Sequence, residues 1–476
     1  MRSNLKKNLG LQTLYQILNT IIPLLTSPYL SRTLGAEKIG IFSYTSSVVS
    51  YFVLFGMLGT MNYGTRKIAS IKDNKKERGR IFLEIYTLQL FISLLFIFLY
   101  LIYLKFFCKD NLDVAIIQLL AIITCLLDIS WLFFGMENFQ IIVSRNIIVK
   151  FIVTFMIFFY VKKPEDLKIY ALIMIGGNFF NQLILWSFLK KFIIFQKVEI
   201  KNILLHIKPN LMLFIPLLAM SIYHAMDKTM LGLLSTYEQV GFYYNADKII
   251  NIPLCIINGI GTVMLPRMTM LFKEKSREEA EKIFLVSLEI IIIVSTAMCF
   301  GISAISKEFV PVFFGKGYEE CIILIIFLSP VLIIKAVSNT VRTQYLIPLK
   351  MEKFYIKSVI LGAIINLIFN TLFILKMGAF GAVLGTLLAE LVACIWQFVE
   401  IKKYIQIKKY YFNYFIYVIN GLVMVFVVRI FSSIEINIYL KLILEIIIGT
   451  ISYLFCSMFY LKISNNPIKN LIKIKF

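Results

Sequence analysis

Most constraining in this sequence is a succession of apolar runs, each long enough to cross a bilayer. About 30 Å of hydrocarbon at ~1.5 Å per residue requires about 20 helical residues. Runs of that length occupy residues 11–31, 39–61, 82–104, 114–134, 141–161, 169–189, 209–234, 241–264, 283–305, 321–341, 356–376, 380–400, 411–431 and 438–461. They are longer than barrel strands and do not alternate apolar with polar. In lipid each segment must satisfy its own backbone amides, which leaves the helix. The chain is thus expected to be an all-α integral membrane protein of about fourteen transmembrane helices. Charged residues supply only 16% of the 476 positions, where a soluble domain carries about 25%. No connection exceeds about twenty residues, so no soluble catalytic domain is expected.

The charge distribution orients these spans. The net charge is +22. In a soluble protein that would raise the question of nucleic acid; here it reads as charge retained on the cytoplasmic side, with no nucleic-acid partner. With the N-terminus inside, the inner segments lie at 2–7, 66–80, 145, 190–208, 267–282, 342–357, 402–409 and 462–475. They hold about 33 of the 49 Lys and Arg residues, against about 12 on the outer segments. A missing helix would scramble that alternation, so the bias supports an even count with both termini cytoplasmic. The same loops attract the anionic headgroups of membrane lipids.

Several function classes are disfavoured. No G-x-x-x-x-G-K-[ST] phosphate loop and no H-E-x-x-H occur. The seven cysteines include no C-x-x-C pair and sit mostly in apolar runs, and His206 and His224 lack the company a metal needs. No catalytic residue, metal or cofactor is assigned. The basic start of the chain is followed by an apolar run without a small-residue cleavage site, so no cleavable signal peptide is expected.

The chain also repeats itself. Ile22-Pro23-Leu24-Leu25 recurs as Ile215-Pro216-Leu217-Leu218, and Glu37-Lys38-Ile39-Gly40-Ile41-Phe42 as Glu238-Gln239-Val240-Gly241-Phe242-Tyr243. Gly59-Thr60 answers Gly261-Thr262, and Arg66 answers Arg267. An offset of about 200 residues spans six helices, an even number, so the copies share one orientation and the duplication is parallel. The expected architecture is two six-helix lobes, residues 1–200 and 201–408, around a central cavity, with two appended helices and a basic tail over 409–476. Such halves can rock about a central site, giving alternating access.

Ionisable groups inside lipid are costly and normally face a bundle interior or water. The cations Arg32, Lys150, Lys228, Lys248, Lys335 and Arg342 are candidates to hold an anionic headgroup, arginine bidentately and lysine as a point charge. Asp128, Asp227, Asp247 and Glu390 are candidates to carry a coupling ion; Glu289 and Glu445 are the other intramembrane acids. The alternative is plain neutralisation, with Asp227 and Asp247 offsetting nearby lysines and end residues snorkelling. Gln12, Gln16, Asn19 and Thr20 share one helical face, as do Asn366 and Asn370. These faces line water or bond neighbouring helices. Pro23, Pro28, Pro216, Pro253 and Pro330 can kink their helices, as hinges or as packing bends.

Short segments in order along nearly the whole chain resemble the Wzx-type oligosaccharide flippases of the MOP superfamily, which also contains the MATE exporters. They are Leu30-Ser31-Arg32-Thr33-Leu34-Gly35; Asp128 with Trp131, Gly135 and Glu137; Arg145-Asn146 with Lys150; and Asp227-Lys228-Thr229-Met230-Leu231-Gly232. Val240-Gly241-Phe242-Tyr243-Tyr244, Ala246-Asp247-Lys248, Leu265-Pro266-Arg267 and Gln344-Tyr345-Leu346-Ile347-Pro348 follow. Asn366, Asn370, Gly378-Ala379-Phe380-Gly381-Ala382, Thr386 and Glu390 complete the set. The resemblance implies transfer of an undecaprenyl-diphosphate-linked oligosaccharide from the cytoplasmic to the outer leaflet of a bacterial cytoplasmic membrane. The end use would be capsule or O-antigen. It also implies a proton or sodium ion as the coupling ion, if any, and the polysaccharide polymerase machinery as a partner. A MATE-like ion-coupled exporter of small molecules is the alternative. A membrane glycan polymerase or ligase is disfavoured by the short outer loops.

Overall fold

A computed structural model describes residues 2–71, 74–274, 276–402 and 411–464, with the side chains of 2–17, 216, 219–220, 222–224 and 411–413 outside the description. Gln12, Gln16, Pro216 and His224 are among the excluded side chains, and the basic residues at 275, 403–409 and 469–475 lie outside the described residues. Helices and no strands are present among the described residues. The chain divides into two compact units, residues 1–241 and 242–476.

The first unit contains α1 (Arg2–Met57), α2 (Thr60–Ala69), α3 (Lys75–Phe106), α4 (Leu112–Leu127), α5 (Ser130–Gly135) and α6 (Phe139–Tyr160). It continues with α7 (Leu167–Phe192), α8 (Ile200–Leu205), α9 (Ile207–Leu234) and the first residues of α10 (Tyr237–Lys273). The second unit holds the rest of α10, then α11 (Arg277–Phe313), α12 (Glu320–Val341), α13 (Glu352–Ile401), α14 (Tyr411–Phe431) and α15 (Ile438–Ile463). A π-helical turn, Arg342–Leu346, extends α12.

Among the described residues, eleven helices are long and apolar enough to cross a membrane. Two of them each run through two of the expected spans. Inside α1, Gly35 is non-helical (φ +79°), and inside α13, Gly378 is (φ +55°). Only glycine enters that left-handed region without a Cβ penalty, so the chain can turn there while its flanks stay helical. Pro23 and Pro28 also lie inside α1, where the residue with helix-breaking angles is Gly35. The expected span 114–134 is not continuous either: α4 ends at Leu127, Asp128 is extended (ψ 98°), and α5 restarts at Ser130.

Alongside apolar packing, these helices bury polar groups between them and expose large apolar side chains outward. On α3, Gln89 and Ser93 are fully buried while Phe91, Leu95 and Phe98 are exposed. Gln89 donates to the carbonyls of Cys125 and Asp128, at 2.6 and 2.9 Å, and Ser93 to that of Gly56. Where the outer solvent is lipid, apolar burial between helices gains little, and interhelical hydrogen bonds and close packing hold the bundle together. The carbonyl of Cys125 belongs to the frayed end of α4, so Gln89 satisfies a group its own helix leaves open.

One contact of the first unit carries the imprint of the repeat. A Cβ on Gly40 would lie 1.6 Å from the Tyr237 carbonyl oxygen, and one on Gly241 would lie 2.0 Å from that of Ala36. Gly40 and Gly241 occupy matching positions of the repeat, and so do Ala36 and Tyr237. The contact is therefore reciprocal.

Candidate functional site

In the second unit, α12 and α13 meet along a polar seam. Lys335 and Glu390 form an ion pair, Nζ to Oε1 at 3.3 Å, with side chains 21% and 11% exposed. Asn339 and Arg342 follow Lys335 at four and seven residues, hence on its side of α12. Arg342 donates from Nε (3.2 Å) and Nη2 (2.5 Å) to Asn339 Oδ1, and its guanidinium carbon lies 5.2 Å from the centre of the Tyr355 ring. Asn339 in turn donates to Asn258 of α10 at 2.7 Å. Gln397, seven residues beyond Glu390, donates to Ser338 and Ser358 at 2.7 and 3.1 Å, and its own Oε1 is buried without a partner. The seam can therefore offer two cations, one of them a planar fork, with a carboxylate already competing for the other. Arg342 stands at the start of the π turn, a distortion frequent at functional positions because it re-aims side chains within a helix.

The remaining candidates are less gathered. Asp247 accepts from Asn251 Nδ2 at 2.8 Å, and Lys248 Nζ stands 5.6 Å from the Tyr244 ring centre. In the first unit, Lys150 donates to Asn19 Oδ1 at 2.5 Å, joining α6 to α1. Asp227 is buried, and two residues on Thr229 meets Ser47 of α1 at 2.9 Å. Lys228 is half-buried, and Arg32 is exposed just before the Gly35 break. The seam thus brings together three of the ten candidates: Lys335 and Arg342 share a face of α12, and Glu390 of α13 pairs with Lys335.

Of the remaining intramembrane acids, Asp128 departs from the expected position in a helix, while Glu289 and Glu445 lie within theirs. Asp128 does not lie within a helix: its carboxylate accepts from the backbone amide of Ser130 (2.9 Å) and from the Ser130 hydroxyl, two residues on, as an Asx-type turn between α4 and α5. Glu289 accepts from the Tyr417 hydroxyl of α14 at 2.8 Å, so it faces that helix. Glu445 lies buried in α15.

Some participants escaped the sequence reading altogether. Asn258, Asn339 and Tyr355 carry no unusual signature in a membrane chain. Buried His206 donates or accepts at both nitrogens, with Tyr63 at 2.6 Å and Glu84 at 2.9 Å. Its partners are 143 and 122 residues away in sequence, beyond the reach of any motif.

An apolar hollow opens elsewhere in the same unit. It is about 590 Å³ and lies among α11, α12, α13 and α14, lined by Ile292, Ile333, Val337, Ile395, Phe398 and Phe415, with Lys402 also contributing. Thus α12 and α13 serve both a polar seam and an apolar hollow.

Comparisons with known proteins agree with this architecture. Residues 5–272 match the family described as "Polysaccharide biosynthesis protein". The chain is 24% identical over 373 residues to the "Putative O-antigen transporter" of Escherichia coli (strain K12), covering 77% of this chain and 89% of that one. Its fold superposes on the lipid II flippase MurJ in an inward closed conformation with a TM-score of 0.77, at 16% identity, over 94% of this chain and 98% of that one. A multidrug resistance MATE family transporter of the MOP superfamily, inward-facing, gives 0.58 at 13% identity over 81% and 98%. This chain is therefore an all-α, multi-pass membrane protein with the fold of MOP-superfamily transporters, and it belongs to the polysaccharide biosynthesis protein family.

Proposed function

We propose that the protein is a flippase for a polysaccharide precursor, moving an undecaprenyl-diphosphate-linked oligosaccharide from the cytoplasmic to the outer leaflet by alternating access between two six-helix lobes. The observation that carries this reading is the double character of α12 and α13. They border an apolar hollow, suited to an acyl-like chain, and a seam bearing Lys335 and Arg342, suited to a diphosphate. An amphiphile needs both surfaces within its own length. The family match and the names of the relatives support the same cargo class. Sugars and diphosphate would pass through a wet, cationic path lined also by Arg32, Lys150, Lys228 and Lys248, while most of the lipid tail stays in apolar surroundings. Asp227, Asp247 and Glu390 are the proposed carriers of a coupling proton or sodium ion. Asp128, already engaged by the amide and hydroxyl of Ser130, is the weakest of the four for that task. Both termini face the cytoplasm in this reading, following the Lys and Arg bias.

A clean deletion, in a strain without a second flippase, is expected to strand the lipid-linked repeat unit on the cytoplasmic leaflet and to abolish the surface polysaccharide. Normal surface polysaccharide in that strain refutes the proposal. Altered drug susceptibility with intact polysaccharide would favour the small-molecule exporter instead.

A further inference from the structure

A second group of buried charges stands apart from the seam, where α11, α14 and α15 pack together. Glu308, near the end of α11, is held by two cations. Arg429 of α14 donates from Nη1 to its Oε2 at 3.2 Å, and Lys441 of α15 stands 3.8 Å from its Oε1. Glu445 lies four residues beyond Lys441 on α15 and is 1% exposed. Neither of its carboxyl oxygens has a hydrogen-bond partner among the described residues. The charged groups that act on it are Glu308 from α11, Arg429 from α14 and Lys441 from its own helix.

Two forces of opposite sign meet at this carboxyl. Buried without a donor, the carboxyl has nothing to replace the hydration an anion would lose. Two cations with only one carboxylate between them favour the anion. A group held in such a balance takes up and releases a proton with small changes around it. A metal cation does not fit the site, because Arg429 and Lys441 repel it and Glu308 already spends both oxygens on them.

We propose that Glu445 is the proton-binding carboxyl of a site built by α11, α14 and α15, in which Glu308, Arg429 and Lys441 govern its release. With the proton bound, the four groups carry one net positive charge. When it leaves, the cluster becomes neutral, and Lys441 acquires a second carboxylate one helical turn away on its own helix. The tie between α15 and α11 through Glu308 then weakens. Arg429 and Lys441, 32% and 19% exposed, provide the polar route from Glu445 to the surface. Nothing in this inference depends on what the protein transports.

Dicyclohexylcarbodiimide tests it on the full chain in lipid vesicles. This apolar reagent adds to protonated carboxyl groups in membrane interiors, and peptide mass spectrometry locates the adduct. Glu445 is expected to be labelled, with labelling falling about tenfold or more as the pH is raised. Lys441→Met removes one cation and should move that fall to higher pH. Glu308→Gln frees both cations for Glu445 and should move it to lower pH. Glu445→Gln should remove the adduct from that peptide. An unlabelled Glu445 across the whole range overturns the proposal, as do coincident profiles for wild type and Lys441→Met, a variant that leaves Glu308 paired with Arg429. Labelling does not require transport, so a labelled chain that fails to restore polysaccharide export would count against the flippase alone.

Discussion

Replacing Gly241 by alanine, alone and together with Gly40→Ala, probes the reciprocal helix contact. A methyl at 241 would sit 2.0 Å from the Ala36 carbonyl oxygen, and one at 40 would sit 1.6 Å from that of Tyr237. Ordinary van der Waals contact begins at 3.4 Å. Relief therefore requires the two backbones to part by about 1.5–2 Å, since neither obstacle is a side chain able to swing aside. Overpacking of this kind costs about 1–3 kcal/mol at each site. The two sites share one contact, so the costs should not add: once one methyl has parted the helices, the second meets less resistance. Thermal denaturation of the purified protein in detergent, read by a thiol-reactive dye at the buried cysteines, measures the loss. The expected order is wild type most stable, each single variant clearly lower, and the double variant only slightly below the worse single. Alanine variants as stable as wild type would refute the close approach. Fully additive losses would refute the claim that the two glycines serve one reciprocal contact.

Charge reversal at the proposed headgroup path, Arg32→Glu or Lys248→Glu, is expected to abolish polysaccharide export while leaving the protein in the membrane. Full export by both variants, measured as surface polysaccharide against immunoblotted protein, would remove these residues from the path. For the Lys335–Glu390 pair, a double-mutant cycle with Lys335→Met and Glu390→Gln should return a coupling of about 1–3 kcal/mol, because the pair is mostly but not wholly shielded. A coupling near zero would mean that the two groups do not interact in the folded protein. Tyr417→Phe takes a hydroxyl donor from the buried Glu289 carboxylate and should destabilise the protein by about 1–3 kcal/mol. A restored midpoint in Tyr417→Phe with Glu289→Leu, which removes the acceptor too, would confirm that the loss comes from the orphaned acid.

Much of this protein was legible before any coordinates. Apolar runs of about twenty residues dictate helices, because lipid offers no partner to an unsatisfied amide. The expected segments lie on helical stretches, eleven helices among the described residues being long and apolar enough to cross a membrane, and the breaks at Asp128 and at Leu58-Gly59 were not expected. A local string of side chains cannot announce such a break, since each depends on what packs against it. Gln89 from a different helix receives the loose carbonyls at Cys125 and Asp128. The repeat, too, was readable at an offset of about 200 residues, but that its glycines meet backbone to backbone was not.

Pairing was decided by the tertiary structure alone. The sequence supplies a roll of ionisable residues inside lipid, and physics requires each to be sheltered, but composition does not say by whom. Lys335 and Glu390 lie 55 positions apart and close into one ion pair. Glu289 turns to Tyr417, 128 positions away, and His206 to Glu84, 122 away. Hydropathy is a property of one segment at a time and survives any rearrangement of the helices. A salt bridge or a buried carboxyl is a property of two or three segments at once, and exists only when the fold has brought them side by side.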